Sequence, residues 1–335
     1  MRLWLTCIIL ALSSQLPVVT PSPPPSQTFD EWLVALRADA LARGISQATV
    51  DSALKDLEPA PTVVHRDRTQ AELVLTLGQY LDRRLTKGTI RTAQRLAREH
   101  RPLLMRVSAQ YDVPAGVIVA VWGLESNFGR FSGVRPTIQA LATLAYDPRR
   151  ADMFREELFA ALRILDSGDV EPDAMRGSWA GAIGQPQFMP SSFLQYAQDF
   201  DKDGRRDIWT SLPDVFASIA YYLKTNGWDE GVRWGREVKV PKTFTPERRE
   251  AVAPLRTRGC QAEREMTVAL PLTRWRALGL RTMSGARVPS STIEASLVPA
   301  GKRNFLVYPN YDALLDYNCA HAYGLAVGLL ADRIY

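Results

Sequence analysis

The chain has 335 residues, 46% of them hydrophobic and 23% charged, a balance that fits one large or two modest globular domains and excludes a disordered chain. A formal net charge of +5, with no basic cluster interleaved with aromatics, sets nucleic acid aside as a partner. Three histidines without ligand-like spacing argue against zinc, and neither a Gly-x-Ser-x-Gly elbow nor a glycine-rich phosphate loop occurs.

Met1-Arg2, the uncharged run 3–12 and the small residues at 11–14 read as an export signal, too short to be a transmembrane helix. Cys7 lies inside that run and not after it, so a lipid anchor is not favoured. The Pro- and Ser-rich stretch 17–25 reads as an extended tether. Residues 29–57 predict two helices, the first stopped by Gly44 and the second capped by Ser46, with Pro59 and Pro61 as breakers. Residues 70–85 and 89–106 predict two more, the arginines of the latter forming a solvated face.

The stretch 113–130, VPAGVIVAVWGLESNFGR, is the one around which the chain is organised. Asp112 offers a capping carboxylate and Pro114 suits a first turn. The run from Val117 to Trp122 has no polar face, so this helix is expected to be buried on every side. Glu125 stands at its end. A carboxyl taken out of water has its pKa pushed up, which is what a general acid near neutral pH requires. The competing reading is a glutamate that closes the helix or pairs with an arginine.

A further helix is expected through Tyr146, and residues 151–165 form an amphipathic one. Its Glu156 and Glu157, with Asp147, are candidates for a second carboxylate, although negative charge is favoured in a helix N-terminal half in any case. Residues 176–193, RGSWAGAIGQPQFMPSSF, carry too many Gly and Pro for a long helix. Their hydroxyls, amides and aromatics (Trp179, Ile183, Phe188, Met189 and Phe193) suit either a sugar groove or a tightly packed loop.

In DFDKDGRRDIW, from Asp199, acidic residues fall at loop positions 1, 3, 5 and 9, with Gly204 at position 6. Asp199, Asp201 and Asp203 with the Arg205 carbonyl could hold a hard cation such as calcium. Position 12 is Thr210 and not the usual Glu; Asp214 is the nearest later carboxylate. The competing reading is an acidic surface turn. Residues 215–227 predict a helix stopped by Gly227. The stretches 237–240, 266–270, 296–298 and 304–308 predict short strands, and 311–335 a final, largely buried helix. With the signal segment set aside, Cys260 and Cys319 remain, either paired or as two buried thiols.

Taken together, VWGLESNFGR, GSWAGAIGQPQFMPSSF, DFDKDG, NGW and YNCAHAYGLAV, in that order over most of the chain beyond the tether, resemble the lytic murein transglycosylases of the membrane-bound B type. The resemblance implies a mainly α (α+β) fold: a lysozyme-like α domain, an additional helical domain and a small inserted β domain. The expected organisation is a signal and tether at 1–26, a helical domain at 27–110, a catalytic core at 111–234 with an EF-hand-like loop at 199–214, a β domain at 235–310, and a helix at 311–335 returning to the core. It also implies cleavage of the β-1,4 bond between N-acetylmuramic acid and N-acetylglucosamine in peptidoglycan, with Glu125 as the single acid/base and a 1,6-anhydro product. Ordinary glycosidases flank the bond with two carboxylates; an internal hydroxyl as nucleophile removes that need.

By the same resemblance, Ser178, Gln187, Phe188, Tyr222, Tyr317, Asn318 and Tyr323 would contact sugar. Asp199, Asp201, Asp203, Arg205 and Asp214 would form a structural Ca2+ loop, with an extra residue before Asp214 as a departure. No cofactor is expected for the chemistry. Expected partners are glycan strands, with cell-wall synthesis or division proteins as further candidates; a monomer in the periplasm is expected. A Cys260–Cys319 bridge is a separate inference that the family does not supply.

Overall fold

The computed structural model describes residues 27–69 and 75–335; the signal and tether expected at 1–26 lie outside the described residues, as does the start of the helix expected at 70–85. The first helices carry their own start signals. In α1 (Phe29–Ala42) the Thr28 hydroxyl accepts the Glu31 N–H while the Glu31 carboxylate takes the Thr28 N–H, satisfying two end groups at once. Ser46 caps α2 (Gln47–Ala53), and α3 (Pro61–Thr69) comes next. A Thr76/Gln79 box opens α4 (Leu77–Arg84). The single helix expected over 89–106 is two, α5 (Lys87–Glu99) and α6 (Arg101–Tyr111). Pro102 has no N–H to give, so the hydrogen-bond ladder stops at His100 and restarts.

Asp112 ends α6 in the left-handed region (φ 56°), and α7 (Ala115–Ser126) leaves at 109° to it. Asp112 does not cap α7: its carboxylate holds Lys224 at 2.8 Å, and Pro114 takes the cap position without a side-chain bond. Every residue of α7 except Glu125 is buried, as its sequence requires.

A two-residue strand β1 (Arg135–Pro136) leads into α8 (Thr137–Tyr146) and α9 (Ala151–Asp166), and pairs antiparallel with β2 (Arg176–Gly177). After α10 (Pro190–Tyr196) and the acidic loop comes α11 (Leu212–Thr225). The β unit then runs β3 (Gly235–Lys239), α12 (Pro246–Glu250), α13 (Gln261–Glu265), β4 (Leu270–Pro271), α14 (Leu272–Ala277), β5 (Arg281–Thr282), β6 (Glu294–Ala300) and β7 (Arg303–Val307). Its five strands form an antiparallel sheet in the order β4-β6-β7-β3-β5. The strand expected at 266–270 is mostly irregular; only its last residue pairs. The final helix is also two, α15 (Asn310–Tyr317) and α16 (His321–Ala331), parted at Asn318, whose backbone is extended.

The apolar side chains gather in three clusters. One centres on α7 and joins α4–α6, α11, α15 and α16. A second centres on α8 and α9 and takes in α1, α2 and α10. The third lies between the sheet and α14, around Trp275. Among the described residues the helices within 27–110 form no cluster of their own: α2 packs on α9 and α3 on α8, while α4 packs on α16 and α5 and α6 on α7. The sheet unit runs from Gly235 to Val307.

Candidate active site

Glu125 sits on the last turn of α7, where three consecutive residues then take positive φ: Asn127 (50°), Phe128 (59°) and Gly129 (77°). That sharp turn throws Phe128 back over the helix it has just left. Gly123 makes room, since a Cβ there would lie 2.5 Å from the Phe128 ring. Phe128 meets Trp122 edge-on at 5.6 Å, and the Trp122 indole donates to Gln185 Oε1 at 2.6 Å. Gln185 in turn donates to the Trp209 carbonyl at 2.8 Å. Buried amides of this kind are costly unless fully bonded, and this one ties the glycine-rich segment to the back of α7.

Removal from water pushes the Glu125 pKa up to about 7; the Tyr323 hydroxyl and, more weakly, the Arg84 guanidinium hold it down. Arg84 is fixed by a bond to the Leu124 carbonyl. The Tyr323 hydroxyl is buried, faces Glu125 and has no other hydrogen-bond partner among the described residues. The candidates for a second carboxylate are committed elsewhere. Glu156 pairs with Arg43 at 2.8 Å, Glu157 accepts from the Ser191 amide and hydroxyl, and Asp147 holds Arg149.

From Tyr323 a wall of rings runs inward: Tyr323 stacks on Tyr317 at 6.2 Å, Tyr317 lies 4.6 Å from Tyr222, and Phe188 packs on both. The hydroxyls of Tyr317 and Tyr222 are tied to the carbonyls of Pro186 and Asp316 (2.8 and 2.7 Å), which fixes the wall. Phe188 is 2% exposed and packs beneath this wall, and Tyr323 and Tyr222, at 4% and 9%, are buried as well, so Tyr317 is the wall's most open ring. Ile183 and Phe193 are likewise fully buried and line no groove. Only tertiary packing separates these rings from exposed ones; their spacing is the same.

Ser178 is half-buried and its Oγ accepts from Ala180 N and Ala182 N, which leaves the hydroxyl proton to donate. Gln187 stands in the left-handed region (φ 55°) with Nε2 shared between the carbonyls of Ser132 and Gly184. Asn318 is exposed beside Tyr317. Arg84 and Gln185 carry no sequence signal that marks them as neighbours of Glu125; each arrives by packing.

In the acidic loop, carboxylate oxygens of Asp199, Asp201 and Asp203 lie within 4.8 Å of one another. Lys202 and Gly204 turn the loop with φ of 63° and 93°. Asp214 is not part of this cluster. It is buried, and its two oxygens accept the Phe200 and Asp207 amides at 2.8 and 2.9 Å, bracing both sides of the loop. The Arg205 side chain is exposed. Asp207, the acidic residue at position 9, is spent on the Trp209 and Thr210 amides. The three clustered carboxylates suit a hard, oxygen-seeking cation by type and spacing.

Cys260 and Cys319 are bonded, with Cα atoms 6.0 Å apart, resolving the alternative their sequence leaves open. The bridge ties the start of α13 to the break between α15 and α16, next to Tyr317 and Asn318.

A helical fold that holds one half-buried carboxyl at a helix end, beside an aromatic wall and a glycine-rich loop, has the lysozyme-like architecture. The profile of the Transglycosylase SLT domain family matches residues 28–332, and the chain belongs to that family. It is similar to the membrane-bound lytic murein transglycosylase B of Escherichia coli (strain K12), 36% identical over 154 residues, or 46% of this chain and 42% of that protein. The match therefore spans less than half of that curated relative. The solved structure of SltB3 from Pseudomonas aeruginosa in complex with NAG-anhNAM-pentapeptide superposes with a TM-score of 0.85 at 42% identity, covering 92% of this chain and 80% of that one. Escherichia coli lytic transglycosylase Slt35 in complex with calcium shares the fold (TM-score 0.73, 24% identity, 90% of this chain and 92% of that one).

Proposed function

We propose that this protein is a lytic transglycosylase that cleaves the β-1,4 bond between N-acetylmuramic acid and N-acetylglucosamine in peptidoglycan and leaves a 1,6-anhydromuramoyl end. The observation that carries the proposal is Glu125, whose pKa near 7 lets one group serve first as acid and then as base. Protonated Glu125 gives its proton to the glycosidic oxygen as the C1–O bond breaks. The resulting carboxylate takes the proton from the muramoyl C6 hydroxyl, whose oxygen bonds to C1. Water is not consumed, so no second carboxylate is required, in keeping with Glu156, Glu157 and Asp147 being engaged elsewhere.

Ser178, Gln187 and Asn318 supply donors and acceptors for N-acetyl and hydroxyl groups, and Tyr317 and Tyr323 the flat wall behind them. Asp199, Asp201 and Asp203 would hold a structural calcium that stiffens the loop; no cofactor enters the chemistry. Peptidoglycan as substrate and the signal-like N-terminus support a periplasmic site of action, as a monomer on glycan strands.

Mass spectrometry of products from purified peptidoglycan tests the proposal. Fragments lighter by one water than reducing-end sugars are expected; reducing ends alone would make the protein a hydrolase and overturn the single-carboxyl mechanism.

A further inference from the structure

The end of α7 leaves one backbone group to be served from outside the helix. In a continuing helix the Phe128 amide would reach the Leu124 carbonyl; here it donates to the Trp122 carbonyl at 3.4 Å. The Leu124 carbonyl is taken instead by the guanidinium of Arg84, the last residue of α4. Leu124 immediately precedes Glu125, so this bond fixes the peptide unit from which the acid/base side chain springs. A cation at a helix C-terminus is favoured by the helix dipole as well.

Packing does not explain Arg84. It is exposed, and it forms no ion pair with a carboxylate among the described residues. Its guanidinium lies 5.8 Å from the ring centre of Tyr80, one turn earlier on α4. α4 packs on α16, which carries Tyr323, so one helix braces both neighbours of Glu125. Tyr323 faces Glu125 from α16, Tyr317 from α15 and Arg84 from α4, while Tyr80 acts on Tyr323. α5, α6 and α11 also pack on α7, but none of their charged groups acts on Glu125. His100, between α5 and α6, meets the Trp122 ring instead, at 6.2 Å. Among the described residues, Arg84 is the one cation that acts on this carboxyl.

We propose that Arg84 is a positioning residue for the reaction: it pins the Leu124 carbonyl and sets a fixed positive charge beside the carboxyl that must release and recover a proton. The proposal rests on the reading of Glu125 as the single acid/base. When Glu125 gives up its proton, negative charge appears where water is scarce and an opposite charge counts for most. A guanidinium keeps its own proton at any working pH, so its field is the same in both halves of the reaction. Without that field the carboxyl holds its proton more tightly and is a weaker acid toward the leaving oxygen.

The test compares pH–rate profiles of wild type, Arg84→Gln and Arg84→Lys on glycan strands. Arg84→Gln should lower kcat about tenfold and move the alkaline limb of kcat/KM up by about half a pH unit or more. Arg84→Lys keeps the charge but not the planar reach to Leu124, so its limb should stay in place while kcat falls by less. A fall in kcat in Arg84→Gln with an unmoved limb, or wild-type kinetics in that variant, overturns the proposal. Carbon-13 NMR titration of the Glu125 carboxyl, assigned by its absence in Glu125→Gln, reads the same shift without substrate. If wild type releases no anhydro product, the transglycosylase reading fails. A Glu125 midpoint that rises in Arg84→Gln then still upholds Arg84 as the group that sets this carboxyl, and an unchanged midpoint overturns it.

Discussion

On the mechanism we propose, one carboxyl carries both the chemistry and a cost. Desolvation raises the Glu125 pKa to about 7, so the acid form needed for the first step is lost as pH rises through that value, and kcat/KM should fall on the alkaline side. A pH–rate profile checks this, and a profile flat from pH 6 to 9 would remove Glu125 as the acid. Glu125→Gln keeps the shape and loses the proton donor, so kcat should drop by about 10²–10⁴-fold with strand binding retained. The same shift has a stability consequence. The folded protein binds a proton that the unfolded chain, with an ordinary carboxyl near 4.5, has already released, so stability declines from about pH 4.5 to 7. Glu125→Gln removes that cost, and thermal melts at pH 8 should place the variant higher than wild type by roughly 2 °C or more; a lower melt would contradict it.

Among the elements, the end of α7 and the break between α15 and α16 set the site. Gly123→Ala drives a methyl into the Phe128 ring and disturbs the turn after Glu125. A loss of about 1–3 kcal/mol in denaturant melts is expected, with reduced activity. The Cys260–Cys319 bridge closes a separation of 59 residues and anchors the segment between Tyr317 and Tyr323. Cys260→Ser should cost about 2–4 kcal/mol. Unchanged stability on reduction of the native protein would show that packing alone holds this segment. Element boundaries were legible where a side chain acts locally, as with Thr28, Ser46 and Gly44. They were missed where the breaker is subtle, at His100 and at Asn318.

At the scale of the molecule, the acidic loop joins α10 to α11 beside the glycine-rich segment that braces α7. If the three clustered aspartates hold calcium, added calcium raises the melting temperature and a chelator lowers it. Asp201→Ala should abolish both shifts, read by differential scanning calorimetry. The chain by itself determined the periodic and local features: the all-round apolar α7 with Glu125 at its end, the turn-rich segment at 176–193, the acidic loop and three strands of the inserted sheet, β3, β6 and β7. These arise from side-chain spacing and turn chemistry, which act over a few residues. Only the tertiary structure decided which aromatics stay partly open and which fill the core, that Asp112 serves Lys224, that Arg84 and Tyr323 frame Glu125, and that the helices before α7 divide between two clusters. Those choices depend on burial against distant partners, a property that a residue's neighbours in sequence do not encode.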